Sequence, residues 1–147
     1  MRRVVILFSV VCAACASTGA SHTKASQYNV STALSDFEAK KIATGQLISV
    51  SGYLAFGDDE HNVWESRQVS EYVENMMPPP IDPSWKKCIS LTSYGRFRKV
   101  LLRYNGKMVT ISGHISRQTL EEDEINLGSC NQISLSLDED GARVLAR

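Results

Sequence analysis

The sequence predicts an all-β domain with short helices, built as a small closed barrel of five strands. Five segments alternate apolar and polar residues with the two-residue period of half-buried strands. Two of the longer ones, Ile48-Ser49-Val50-Ser51-Gly52-Tyr53-Leu54 and Val109-Thr110-Ile111-Ser112-Gly113-His114-Ile115, carry a glycine at the same register. That placement suits the sharp coiling or bulge a small barrel needs. With 147 residues, 43% of them hydrophobic and 22% charged, the chain suits one globular domain and excludes wholesale disorder.

Along the chain, Ser35-Asp36-Phe37-Glu38 reads as a capping box and Gly45 as a stop, which predicts a short helix over Asp36 to Ala43. The first strand runs from Ile48 to Phe56, with Ile48, Val50, Leu54 and Phe56 on one face. Gly57 to Glu60 turns the chain into a shorter second strand, Val63 to Ser66. The segment 67–87 is an insertion. Val69, Tyr72, Val73 and Met76 recur there at helical spacing, and three consecutive prolines, Pro78 to Pro80, then enforce extended geometry. Cys88 to Thr92 is the third strand. Ser93 is placed to cap a helix in which Phe97, Val100, Leu101 and Tyr104 form an apolar stripe ended by Asn105-Gly106. The fourth strand is Met108 to Ile115, with Val109, Ile111 and Ile115 inward. The fifth is Asn131 to Leu137, with Ile133, Leu135 and Leu137 inward.

Residues 1–16 read as a secretory signal peptide: Arg2 and Arg3 are followed by an apolar run from Val4 to Val11 and then by small residues. The run is too short to span a bilayer. Ala14-Cys15-Ala16 is a site for release of a soluble protein. Cys12-Ala13-Ala14-Cys15 resembles a bacterial lipobox, which implies lipidation of Cys15, and this reading is preferred. Residues 17–33, rich in Ser, Thr and Ala, read as a flexible tether, and the globular domain as 34–147. Loss of Arg2 and Arg3 leaves fourteen basic against sixteen acidic residues in an exported, periplasmic chain. There Cys88 and Cys130 are an even pair in an oxidising compartment, so a structural disulfide is expected.

The order strand, strand, strand, helix, strand, strand resembles the OB-fold, a five-stranded Greek-key barrel, over about Gln46 to Leu137. The chain resembles in particular the small exported OB-fold proteins of Gram-negative bacteria, many of them lipoproteins. The resemblance implies that the third and fifth strands lie parallel and adjacent, which places Cys88 and Cys130 side by side on the outward parity. It also implies ligand binding across the second and third strands and their flanking loops.

Those loops are acidic. One carries Asp58, Asp59, Glu60 and His61, the other Glu121, Glu122, Asp123 and Glu124. Acidic rims repel phosphate backbones, and Trp64 is the single good stacking aromatic on that face, so nucleic acid is not an expected partner. Neither loop has an EF-hand pattern and no zinc spacing is present, so no metal and no cofactor are expected. His61 and His114 read as isolated surface histidines, and the basic residues Arg96, Arg98, Lys99 and Arg103 as a solvated helix face. Strand serines alternate outward, as solvent-facing positions do. No nucleophile elbow, metalloprotease or phosphate-loop motif appears, which points to a non-enzyme.

The insertion from Met76 through Met77 to Trp85 reads equally as a protein-binding patch or as a plug sealing one barrel end. The expectation is therefore a non-catalytic periplasmic binding module for a protein or envelope component, touching the membrane only through a lipid on Cys15. Its binding residues would be Asp58, Asp59, Glu60, Trp64, Met76, Met77, Trp85, Glu121 and Glu122. An immunity or inhibitor protein directed at a secreted toxin or hydrolase is the alternative. A hydrolase using Asp58, Asp59 or Glu122 is the third reading.

Overall fold

The computed structural model describes residues 25–74, 87–118, 130, 132–138 and 140–146. Their elements are β1 (Ser26–Asn29), α1 (Val30–Glu38), β2 (Gln46–Phe56), β3 (His61–Trp64), α2 (Arg67–Glu74), β4 (Cys88–Thr92), a 3-10 turn (Gly95–Phe97), α3 (Arg98–Tyr104), β5 (Met108–Arg117), β6 (Ile133–Ser136) and β7 (Arg143–Ala146). Strands β2, β3, β4, β6 and β5 hydrogen-bond in that order, and β5 returns to β2, closing a five-stranded barrel with the strand order of an OB-fold. The β4–β6 pair is parallel, as the resemblance implied, and the other barrel pairs are antiparallel.

The two glycines of the shared pattern stand where the long strands change partners. Strand β2 pairs with β1 over Ile48 to Ser51 and with β3 over Tyr53 to Phe56, and Gly52 lies between. Strand β5 pairs with β7 over Val109 to Ser112 and with β6 over His114 to Arg117, and Gly113 lies between. A Cβ on Gly52 would sit 2.4 Å from the Trp64 carbonyl oxygen, and one on Gly113 2.7 Å from the Ser136 carbonyl oxygen. The incoming strand needs the space that any side chain would fill.

Inside the barrel the inward residues of all five strands form one core, closed by Val30, Ala33 and Phe37 of α1 and by Leu101 of α3. A second, smaller cluster lies outside the barrel wall. Trp64 and Cys88 face each other across β3 and β4, and with Ala55, Val73 and Cys130 they are covered by α2. Cys88 and Cys130 form a disulfide with their Cα atoms 5.5 Å apart. Outward strand parity therefore does not mean exposure here, because α2 forms a second layer.

Several local expectations are corrected. Residues 26–33, expected as part of the tether, form β1 and the first turn of α1, with Val30 and Ala33 buried. The helix starts at Asn29, not Ser35: Asn29 Oδ1 accepts the Thr32 N–H at 2.8 Å, and Thr32 Oγ1 accepts the Asn29 N–H at 3.2 Å. The helix ends at Glu38, and the turn after it includes Lys40 at positive φ. Strand β3 starts and ends two residues early, since Ser66 caps α2 by accepting the Val69 N–H at 3.3 Å. Ser93 makes no cap and adopts positive φ, so a 3-10 turn leads into α3. Outward hydroxyls pair across the strands: Ser49 with Ser112 at 2.7 Å, and Ser51 with Thr110 at 2.9 Å. Strand β7 was not expected at all.

Candidate functional site

The face across β3 and β4, where the resemblance placed a ligand, is occupied by the protein itself. Trp64 is 0% exposed beneath α2, and its Nε1–H donates to Glu60 Oε1 at 2.7 Å. It is a core residue and offers no stacking platform. Glu60 correspondingly anchors an indole from within the β2–β3 loop, whose tight turn is held by the Gly57 N–H donating to the Glu60 carbonyl at 2.7 Å. Of its loop neighbours, Asp58 is exposed and meets Arg98 Nη2 at 3.3 Å, and Asp59 is exposed. Glu121, Glu122, Met76, Met77, Trp85 and Cys15 lie outside the described residues.

Beside the loop lies a cavity of about 330 Å³. Its walls are the end of β2 (Tyr53, Ala55, Phe56), the loop (Gly57, Asp59, Glu60), α2 (Ser70, Glu71) and the α3–β5 turn (Asn105, Gly106). The turn is fastened to β2 by three bonds. Asn105 Oδ1 accepts the Phe56 N–H at 2.9 Å, the Gly106 N–H donates to the Leu54 carbonyl at 2.8 Å, and the Leu54 N–H donates to the Lys107 carbonyl at 2.9 Å. Gly106 is at positive φ, and the Tyr53 hydroxyl is 3.7 Å from where its Cβ would be. On the far side of the loop, Phe56, His61 and Tyr94 pack ring against ring, His61 stacking on Tyr94 at 4.8 Å.

Three acidic residues, Asp59, Glu60 and Glu71, thus line one recess. Glu71 also receives Arg67 Nε at 2.7 Å, and this bond raises the Arg67 guanidinium above its ordinary value. Ser70, 2% exposed, lines the inner wall. The recess suits a cationic group with an apolar stem: three of its lining residues are acidic, and Tyr53 and Ala55, on the outward face of β2, add apolar surface. Of the expected residues, Asp59 and Glu60 belong to this recess, while Asp58 faces Arg98. Tyr53, Ser70, Glu71 and Asn105 were missed. Asn105-Gly106 read only as a helix stop, and Glu71 read only as part of an amphipathic insertion.

The basic residues around α3 are more engaged than a solvated face implies. Arg96 Nε donates to the Leu137 carbonyl at 3.0 Å, and Arg103 and Lys107 both lie against the Tyr104 ring. Among the described residues no group of three His, Cys, Asp or Glu side chains could hold a metal ion, and no helix is long and apolar enough to cross a membrane. Comparison with known protein families, with curated proteins and with solved structures finds no match to this chain.

Proposed function

We propose that this chain is an exported, non-catalytic binding module, tethered through Cys15, whose acidic recess receives a lysine or arginine side chain of a protein or envelope partner. The observation that carries this reading is a cavity of about 330 Å³ whose lining includes three acidic residues, Asp59, Glu60 and Glu71, beside Tyr53. Ordered carboxylates at a recess steer a cation and reject anions, so nucleic acid and anionic lipid are poor occupants. The disulfide supports the exported location, because such bonds persist in oxidising compartments. A signal peptide on residues 1–16 and a lipid on Cys15 remain part of the proposal, to be checked by intact mass of the native protein.

The test is capture from envelope extract by wild-type protein and by Asp59→Asn/Glu71→Gln, followed by titration of the purified partner. Glu60 is left unchanged because it also holds Trp64. The expected result is a partner whose affinity falls at least tenfold in the variant and weakens with salt, as exposed charge pairs do. Equal affinity for both proteins would remove the recess from the binding surface. Capture of a toxin or hydrolase that the protein silences would select the inhibitor reading.

A further inference from the structure

His114 stands in β5 opposite Leu47 of β2 and Ser136 of β6. Both of its ring nitrogens meet backbone carbonyl oxygens: Nδ1 lies 2.8 Å from the Gly45 oxygen and Nε2 2.9 Å from the Asp140 oxygen. A carbonyl oxygen only accepts. A neutral imidazole has one N–H and one lone pair, so it can serve one of these oxygens and must turn a lone pair on the other. Both bonds form together only when the ring carries two protons. His114 therefore lies between two turns distant in sequence, the one between α1 and β2 and the one between β6 and β7, and donating to both at once requires an imidazolium.

We propose that His114 is a proton-operated clasp that holds the β6–β7 turn and strand β7 on the barrel when doubly protonated and releases them when neutral. The Gly45 side is independently fixed, since the Gly45 N–H donates to the Ile115 carbonyl at 2.7 Å and the Ala43 N–H to Gln46 Oε1 at 3.0 Å. The other side is held by the pairing of β7 with β5 and by Ala142 and Val144, which pack part-buried against the core. Gly141 rests on Leu47, its absent Cβ leaving room for the Leu47 Cδ2 atom, and β7 is four residues long with no buried side chain. Loss of a proton thus frees the Asp140 carbonyl and weakens the hold of the short β7 on β5 from Val109 to Ser112.

Among the described residues, the charged groups on the elements around the ring are Asp138 and Asp140 of the β6–β7 turn, Arg143 of β7, Lys40 of the α1–β2 turn, and the pairs Arg117–Glu38 and Lys41–Asp36. Asp138 is engaged by the Ser136 hydroxyl and lies near Arg96, so it is the two carbonyl oxygens that favour the cation. The clasp is complete while the ring carries both protons and opens when one of them is lost.

The test uses the whole ¹⁵N-labelled protein between about pH 5.5 and pH 8.5, a range that brackets ordinary imidazole titration. Ring ¹⁵N spectra report the protonation of His114, assigned against His22→Gln and His61→Gln. Hydrogen-exchange protection factors report β7. Both ring nitrogens are expected in the protonated range at the acidic end. As the ring loses its proton, protection of the Arg143 to Ala146 amides should fall about tenfold or more while that of β4 stays constant. In His114→Gln, which cannot titrate, β7 protection should be low and independent of pH. A ring that is neutral across the whole range, or β7 protection that ignores its titration, overturns the clasp. Should His114→Gln not fold, the wild-type ring spectra and exchange still decide.

Discussion

Replacing Gly52 with alanine should open the barrel seam. The added Cβ would stand 2.4 Å from the Trp64 carbonyl oxygen, 2.7 Å from Val63 Cγ1 and 3.0 Å from Val30 Cγ2. None of these neighbours is the free end of a long side chain. The first is β3 backbone, and Val63 and Val30 are buried core residues that close the barrel. Ordinary contact needs roughly 3.4 Å or more, so β3 must retreat by about 1 Å along the edge where it joins β2. Overpacking of this kind costs about 3 kcal/mol, which is roughly a 150-fold shift in the unfolding equilibrium and about 10 °C in Tm for a domain of this size. The assay is urea unfolding followed by circular dichroism, with Gly57→Ala as the control, because nothing lies within 4 Å of a Cβ there. The control should stay within about 0.5 kcal/mol of wild type. Wild-type stability in Gly52→Ala would refute the claim that the closing strand requires a missing side chain.

Cys88→Ser/Cys130→Ser opens a loop spanning a sequence separation of 42 and should lower stability by about 4 kcal/mol in the chain-entropy model, read as a lower urea midpoint that reductant no longer moves. Glu60→Ala removes the charged acceptor of the Trp64 indole and should lower stability by about 2 kcal/mol, measured by unfolding, with a shifted tryptophan emission in the folded state. Glu65 lies below its ordinary carboxyl value, chiefly because the Ser31 hydroxyl donates to it and secondarily through Lys87. Its contribution to stability is therefore present above the unfolded carboxyl value and is lost as pH falls through the lower, folded-state one. Ser31→Ala should flatten that acid limb in unfolding measured from about pH 6 down to pH 2, and an unchanged limb would show that Glu65 does not carry it.

Where burial is decided within one strand, the sequence was a sufficient guide. Alternation in β2, β4 and β5 announced the inward residues Ile48, Val50, Ile89, Leu91, Val109 and Ile111, all of which lie in the core. Periodicity failed where a stronger local signal misled it. Ser35 to Glu38 matches a capping box, yet Asn29 with Thr32 makes the real one, and the Val30, Ala33, Phe37 spacing marked its buried face. The candidate site was half legible. Asp59 and Glu60 stood out as acidic loop residues and Tyr53 lies just before that loop in β2, but Glu71 joins them only because α2 folds back across the outer wall.

Composition and local pattern determined, by themselves, a small β-barrel with short helices and its inward faces. These follow from residue-by-residue choices between water and an apolar neighbour, choices that nearby residues already express. Tertiary structure alone decided that Trp64 is buried, that the expected ligand face is covered, that β7 exists, and that His114 reaches two carbonyls. Each of these depends on which distant segment arrives beside a given side chain. His114 and Gly45 are 69 residues apart, and no local period encodes such a meeting.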